Sequence, residues 1–350
     1  MALSLNEFLN ELFHNPIILV ITLLTLGVIL VNGWTDAPNA IATSISTRSI
    51  SPRNAIILAT IFNFLGVLVM TLINATVAQT IYNMVDFRGD THDSLIALCA
   101  AMVAIVLWAT FAWYFGIPTS ESHALIAGIS GAAIALQRGF FGINGSEWIK
   151  VIYGLFVSTF FGFGLGYLTA KIIGYLFKDA DKRKVNKLFT KAQVLGSCGM
   201  AFMHGAQDGQ KFMGVFMLGI FLLKGYGNVN EFTIPVWLML TCSGVMALGT
   251  SLGGLRIIKK IGIEMVKLET YQGFASDLAG SLSLLTASVF GLPVSTTHTK
   301  TTAIMGVGCA KRLSAVNWAI VKDMVYTWIL TFPGCGLIGY LMALVFMKMF

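Results

Sequence analysis

Along the chain, apolar residues come in long, nearly uninterrupted runs separated by short polar connectors. Runs such as 17–31, 55–73 and 95–115 reach or approach the ~20 residues a helix needs to cross a bilayer core. A membrane β-barrel would instead show alternating stretches of ~10 residues, and the runs here are continuous. The pattern predicts an all-α integral membrane protein with five hydrophobic units in each half. In the first half these are 16–47, 53–76, 93–116, 119–137 and 148–176; in the second, 193–223, 233–252, 271–290, 295–310 and 317–347.

The halves repeat each other. Phe115-Gly116-Ile117-Pro118-Thr119-Ser120-Glu121-Ser122-His123 returns 175 positions later as Phe290-Gly291-Leu292-Pro293-Val294-Ser295-Thr296-Thr297-His298. Asn32-Gly33-Trp34-Thr35-Asp36 returns 172 positions later as His204-Gly205-Ala206-Gln207-Asp208. Duplicated, interrupted hydrophobic segments are the mark of a secondary transporter whose site lies where two repeats meet. We expect a first repeat over 1–176, a basic linker over 177–192 and a second repeat over 193–350. Five units per repeat is odd, so the second starts from the opposite side and the repeats have inverted topology. The third and fourth units of each half either span or form a re-entrant hairpin turning at Pro118 or Pro293.

Composition agrees. Of the 350 residues 56% are hydrophobic and only 11% charged, against about 25% charged in soluble domains; mean hydropathy is +0.79. The net charge of +7 does not point to nucleic acid, because the basic residues cluster in the connectors 48–53, 177–191, 253–270 and 311–316. The opposite connectors hold only Arg88, Arg138, Lys224 and Lys348. By the positive-inside rule both termini are expected outside a cell membrane, with 177–191 a solvated cytoplasmic loop. The first residues carry Glu7 and Glu11 and no basic residue, unlike a signal peptide, so the first segment is expected to be retained. The five cysteines lack C-x-x-C spacing and read as packing residues, not metal ligands.

Four places carry chemistry. Pro118 and Pro293 each end a helix, and Ser120 and Ser295 are natural N-caps for the next one. A helix N-terminus attracts anions. Two such termini, with the hydroxyls of Ser120, Ser122, Ser295, Thr296 and Thr297, suit a tetrahedral oxyanion, and Lys300 lies one turn further in as a source of positive charge. The glycine and aspartate in each upstream word are expected to unwind their helix. Freed carbonyls with Asp36, Asn39 and Asp208 then suit a coupling cation or proton. Where the first half has Asn39, the second has Lys211, whose ammonium can take a cation's place beside Asp208. Glu121, which has Thr296 as its counterpart, can accept a hydrogen bond from a protonated oxyanion. Asn32, His123, His298 and Lys211 are assigned structural or proton-relay roles. Asp277 is expected either to face solvent or to pair with a lysine.

These words resemble the inorganic phosphate transporter (PiT) family. Its G-x-N-D-x-x-N-A-like signature is met by Gly33-Trp34-Thr35-Asp36-Ala37-Pro38-Asn39-Ala40 and, with Gln207 and Lys211 in place of asparagines, by Gly205 to Lys211; the Pro-Ser-His motif matches in both halves. The resemblance implies a phosphate symporter with inverted repeats, a homodimer, and sodium or protons as the coupling ion. The Asp-Gly-Gln-Lys form is similar to the bacterial low-affinity branch, which implies proton coupling and a neutral divalent metal–phosphate as the carried species. Asp36 and Asn39 retain ligands for one sodium. No permanently bound cofactor or metal is implied.

The rivals are a sulfate permease of the same fold, an anion channel and a membrane enzyme. Phosphate at neutral pH carries a proton to donate and sulfate does not, so carboxylates beside the site favour phosphate. Interrupted helices in inverted copies argue against a channel. The chain contains no H-E-x-x-H or G-x-S-x-G motif, and no catalytic residues are assigned.

Overall fold

The computed structural model describes residues 4–87, 90–117, 119–224, 233–253 and 258–350. Pro118, Arg88 and Arg256, used in the sequence reading, lie outside the described residues. Among the described residues the chain is helical apart from connectors and two isolated bridges, Val85 with Ile143 and Val266 with Val316.

Local signals start and stop the helices. Helix α1 (Leu5–His14) opens on a Ser4–Glu7 capping box. Prolines occupy the first turn of α2 (Pro16–Thr35), α3 (Pro38–Ser46) and α4 (Pro52–Ile73), where no N–H is missed. A short α5 (Thr76–Tyr82) leads to α6 (Thr91–Tyr114) and α7 (Glu121–Gln137). Helix α8 (Gly145–Phe156) continues through a π turn, Val157–Phe161, into α9 (Gly162–Leu176). The second half contains α10 (Lys182–Leu223), α11 (Val236–Leu252), α12 (Thr270–Val289), α13 (Thr296–Lys311) and α14 (Trp318–Met349). Among the described residues five segments are long and apolar enough to cross a membrane: Pro16–Ser46, Pro52–Ile73, Thr91–Tyr114, Gly145–Leu176 and Trp318–Met349.

Two expectations are corrected. Residues 182–192 are not a loop but the first turns of α10. The same helix runs unbroken through His204–Lys211, so the second upstream word is not unwound. The difference lies in one residue. Pro38 removes an N–H and forces the α2–α3 break, whereas the equivalent position holds Gln210, whose Nε2 bonds the Asn74 carbonyl at 2.7 Å and leaves the helix ladder intact.

The molecule is polar inside and apolar outside. Asp36, Glu121, Asp208, Lys211, Asp277 and Lys300 are buried, while Leu23, Leu72, Phe111, Phe160, Leu195 and Ile329 are exposed. That is the arrangement lipid demands, since polar groups must find partners within the protein.

Packing between halves is exchangeable. Helix α2 packs on α11 as α10 packs on α4, α6 on α2 as α12 on α10, and α7 on α14 as α13 on α9. The crossings are close because repeated glycines make them so. A Cβ on Gly33 would lie 2.4 Å from the Met246 carbonyl, and one on its counterpart Gly205 would lie 2.3 Å from that of Asn63. Gly131 and its counterpart Gly306 stand 2.0 and 2.1 Å, measured the same way, from the carbonyls of Gly336 and Phe163.

Gly306→Val should therefore abolish recovery of monodisperse protein in detergent. Gly27→Ala, where a Cβ meets nothing within 4 Å, should leave the yield unchanged and the melting temperature equal or raised, since Gly→Ala in a helix contributes roughly 0.5–1 kcal/mol.

Candidate functional site

Helices α6 and α12 end alike, and α7 and α13 begin alike. Helix α6 ends with Gly116 at φ +63° and α12 with Gly291 at φ +65°, values that favour glycine. The Ile117 and Leu292 N–H groups close each end on the Ala112 and Ala287 carbonyls, both at 2.9 Å. Ser120 Oγ then accepts the His123 N–H, and Ser295 Oγ the His298 N–H, each at 3.2 Å, capping α7 and α13. These caps are as the sequence predicts, and they commit the two serine oxygens to their own helices.

The break between α2 and α3 delivers Thr35, Asp36 and Asn39 to the start of α13. Thr296 Oγ1 lies 3.1 Å from Asp36 Oδ2 and 3.2 Å from Asp208 Oδ2, within donating reach of both. Thr297 Oγ1 and Asn39 Nδ2 both donate to Asp36 Oδ1, and Asn39 Nδ2 also donates to Thr297 Oγ1 at 3.1 Å. Asn32 Nδ2 reaches Asp208 Oδ2 at 3.2 Å. Thr35 Oγ1 donates to Glu121 Oε1, and both residues line a cavity of about 10 Å³ with Asn39, Trp113 and Thr119.

Lys211 behaves as a built-in cation. Its Nζ donates to Asp208 Oδ1 at 2.7 Å, Ser122 Oγ at 2.7 Å and the Val294 carbonyl at 2.5 Å. A carboxylate, a hydroxyl and a backbone carbonyl from three segments are the oxygen set a hard cation would take.

His204, which the sequence pattern does not single out, joins this cluster. Its Nε2 stands 3.4 Å from Asp208 Oδ2 and 3.9 Å from Asp36 Oδ2, and Nδ1 lies 3.1 Å from Asn63 Oδ1. Its sequence signal is its place one helical turn before Asp208, which puts the two on one face only because the helix stays wound. One ligand atom each from Asp36, His204 and Asp208 lie within 4.8 Å of one another, close enough to hold a single cation.

Two assignments move. Lys300 does not face this site; it is ion-paired with Asp277, also buried. His123 and His298 pack edge to face, ring centroids 4.5 Å apart, with His298 also against Trp328. His123 Nδ1 and both His298 nitrogens have no hydrogen-bond partner among the described residues, and ring packing surrounds them.

Comparison with known proteins decides the family. The Phosphate transporter family matches residues 32–339. This chain belongs to that family. A probable low-affinity inorganic phosphate transporter of Bacillus subtilis is 37% identical over 327 residues, covering 92% of this chain and 96% of that protein. A relative of the same description from Rhizobium meliloti is 38% identical, covering 89% and 90%. A solved structure described as the sodium-dependent phosphate transporter has a TM-score of 0.79 at 22% identity, over 94% of this chain and 98% of that one, so the fold is shared.

In this family member the Lys211–Asp208 pair is fully buried. Asp208→Asn should lower stability by about 3–5 kcal/mol by stranding the ammonium. Asp208→Asn combined with Lys211→Met should recover most of that loss; thermal unfolding in detergent measures both.

Proposed function

We propose that this chain is a secondary transporter that carries inorganic phosphate across a cell membrane by cation-coupled symport. The observation that carries the reading is Thr296, whose hydroxyl reaches the upstream aspartates of both halves. Membership of the Phosphate transporter family supplies the substrate class. We read it as a transporter, as its relatives are named, and not as an enzyme.

The oxyanion enters between the N-termini of α7 and α13, where hydroxyls and helix ends offer neutral and partially positive donors. Asp36, with Asn39, Asp208 and His204 around it, takes up the coupling ion. Charge compensation lowers the cost of moving the loaded site through a low-dielectric path. Lys211 already supplies one positive charge at Asp208, which supports a single mobile cation and favours a proton. The likeness to a sodium-dependent transporter keeps sodium as the alternative. The Asp36, His204 and Asp208 cluster also suits the metal of a divalent metal–phosphate.

The exchangeable packing supports two repeats, 1–176 and 193–350, of inverted topology. Helices α7 and α13, with 17 and 16 residues, extend only ~25 Å, which supports re-entrant hairpins. The basic connectors support a cytoplasmic start of α10 and both termini outside.

Radiolabelled phosphate uptake into proteoliposomes, driven by an imposed proton or sodium gradient with and without excess sulfate, tests this. Proton-driven uptake resistant to sulfate is expected; sulfate carried in place of phosphate would overturn the substrate. Asp36→Asn should lose coupled uptake while remaining folded, and normal uptake removes Asp36 from the mechanism. Glu121→Gln should narrow the preference for phosphate over sulfate.

A further inference from the structure

One buried ionisable cluster has no part in the site just described. Asp277 on α12 and Lys300 on α13 are fully buried and ion-paired. Thr43 Oγ1 donates to Asp277 Oδ1 at 2.7 Å, Ser197 Oγ donates to Asp277 Oδ2 at 2.9 Å, and Lys300 Nζ donates to Thr43 Oγ1 at 3.1 Å. The cluster lies one turn beyond the site on two helices at once. Lys300 follows Thr297 by three residues, and Thr43 follows Asn39 by four.

Polar groups continue beyond it. Thr47 Oγ1 and Ser49 Oγ donate to the buried Gln193 Oε1 at 2.8 and 3.0 Å, and Gln193 Nε2 has no partner among the described residues. Thr47 also lines a cavity of about 680 Å³ that opens among Arg48, Lys178, Lys182 and Asn186, on the basic side of the chain. Site, ion pair, glutamine and cavity thus form one polar track.

Among the described residues the other half has no such track. The positions equivalent to Asp277 and Lys300 are Met102 and Leu125, and the position equivalent to Thr43 is Val215. All three are buried in one apolar core cluster. The repeats agree at the site and part company one turn past it. The fold itself accepts an apolar pair at these positions, so charge there answers a need other than packing.

Resting on the phosphate-transport reading above, we infer that Asp277, Lys300 and Thr43 form a second oxyanion station, where phosphate pauses between the site and the basic face. Lys300 is a cation already stripped of water and held ready by Asp277. An arriving oxyanion takes the carboxylate's place on Nζ. The displaced Asp277 keeps the Thr43 and Ser197 hydroxyls as donors, so it is not left bare. Met102 and Leu125 offer an anion nothing comparable.

The test gives the second half the residues of the first, as Asp277→Met with Lys300→Leu. Equilibrium binding of radiolabelled phosphate to purified protein and uptake into proteoliposomes are measured together. Binding should stay within about twofold while uptake falls about tenfold or more, each tenfold loss being ~1.4 kcal/mol. A folded double variant with normal uptake overturns the station and leaves the pair structural. If that variant does not fold, Thr43→Val decides: slowed uptake with unchanged binding supports the station, and unchanged uptake overturns it. A parent protein that neither binds nor carries phosphate defeats the transport reading itself, an outcome distinct from either.

Discussion

The structure is organised around the need to neutralise charge where there is no water to do it. Asp36 and Asp208 are buried side by side, each contacted by Thr296 of α13. An uncompensated ion in such surroundings costs several kcal/mol. Lys211, Asn32, Asn39, Thr297 and His204 converge on the two carboxylates from both halves of the chain. The helices that carry these groups cannot drift apart without stranding a charge. The site is therefore also the join between the halves, and under the proposed function an ion or anion that changes its charge balance acts directly on that join.

Around this centre the scaffold is repeated and the polar content is not. Glycines at equivalent positions, such as Gly33 with Gly205 and Gly131 with Gly306, bring backbones within reach at equivalent crossings. The two halves can then pack in exchangeable pairs. Among the differences the chain sets onto that common frame, three stand out: Pro38 against Gln210, Asn39 against Lys211, and Met102 with Leu125 against Asp277 with Lys300. The first breaks one helix and spares the other. The second replaces an amide with a tethered cation. The third makes one side of the site polar and the other apolar. A symmetric frame thus acquires direction from a few side chains.

The helical units were legible in the sequence because lipid imposes a simple rule. A segment that satisfies its own backbone and shows apolar residues to its surroundings must be a long apolar run. The helix ends at Gly116 and Gly291 and the serine caps were equally legible, since turn and cap chemistry is local. The fate of residues 204–211 was not. Glycine and aspartate can unwind a helix, but Gly205 packs against Asn63 of α4, and Lys211 finds its oxygens on α7 and before α13. Those partners are far away in sequence.

By itself, then, the sequence determined the class of protein, the apolar units, the duplicated motifs and the caps. Each of these depends on periodicity or on neighbours within one turn. Only the tertiary structure decided that α10 stays whole, that His204 belongs beside Asp36 and Asp208, that Lys300 turns away to Asp277, and that His123 and His298 meet ring to ring. Each of these depends on which buried polar group finds which distant partner. Inside a membrane that choice is enforced by the high cost of leaving any of them without one.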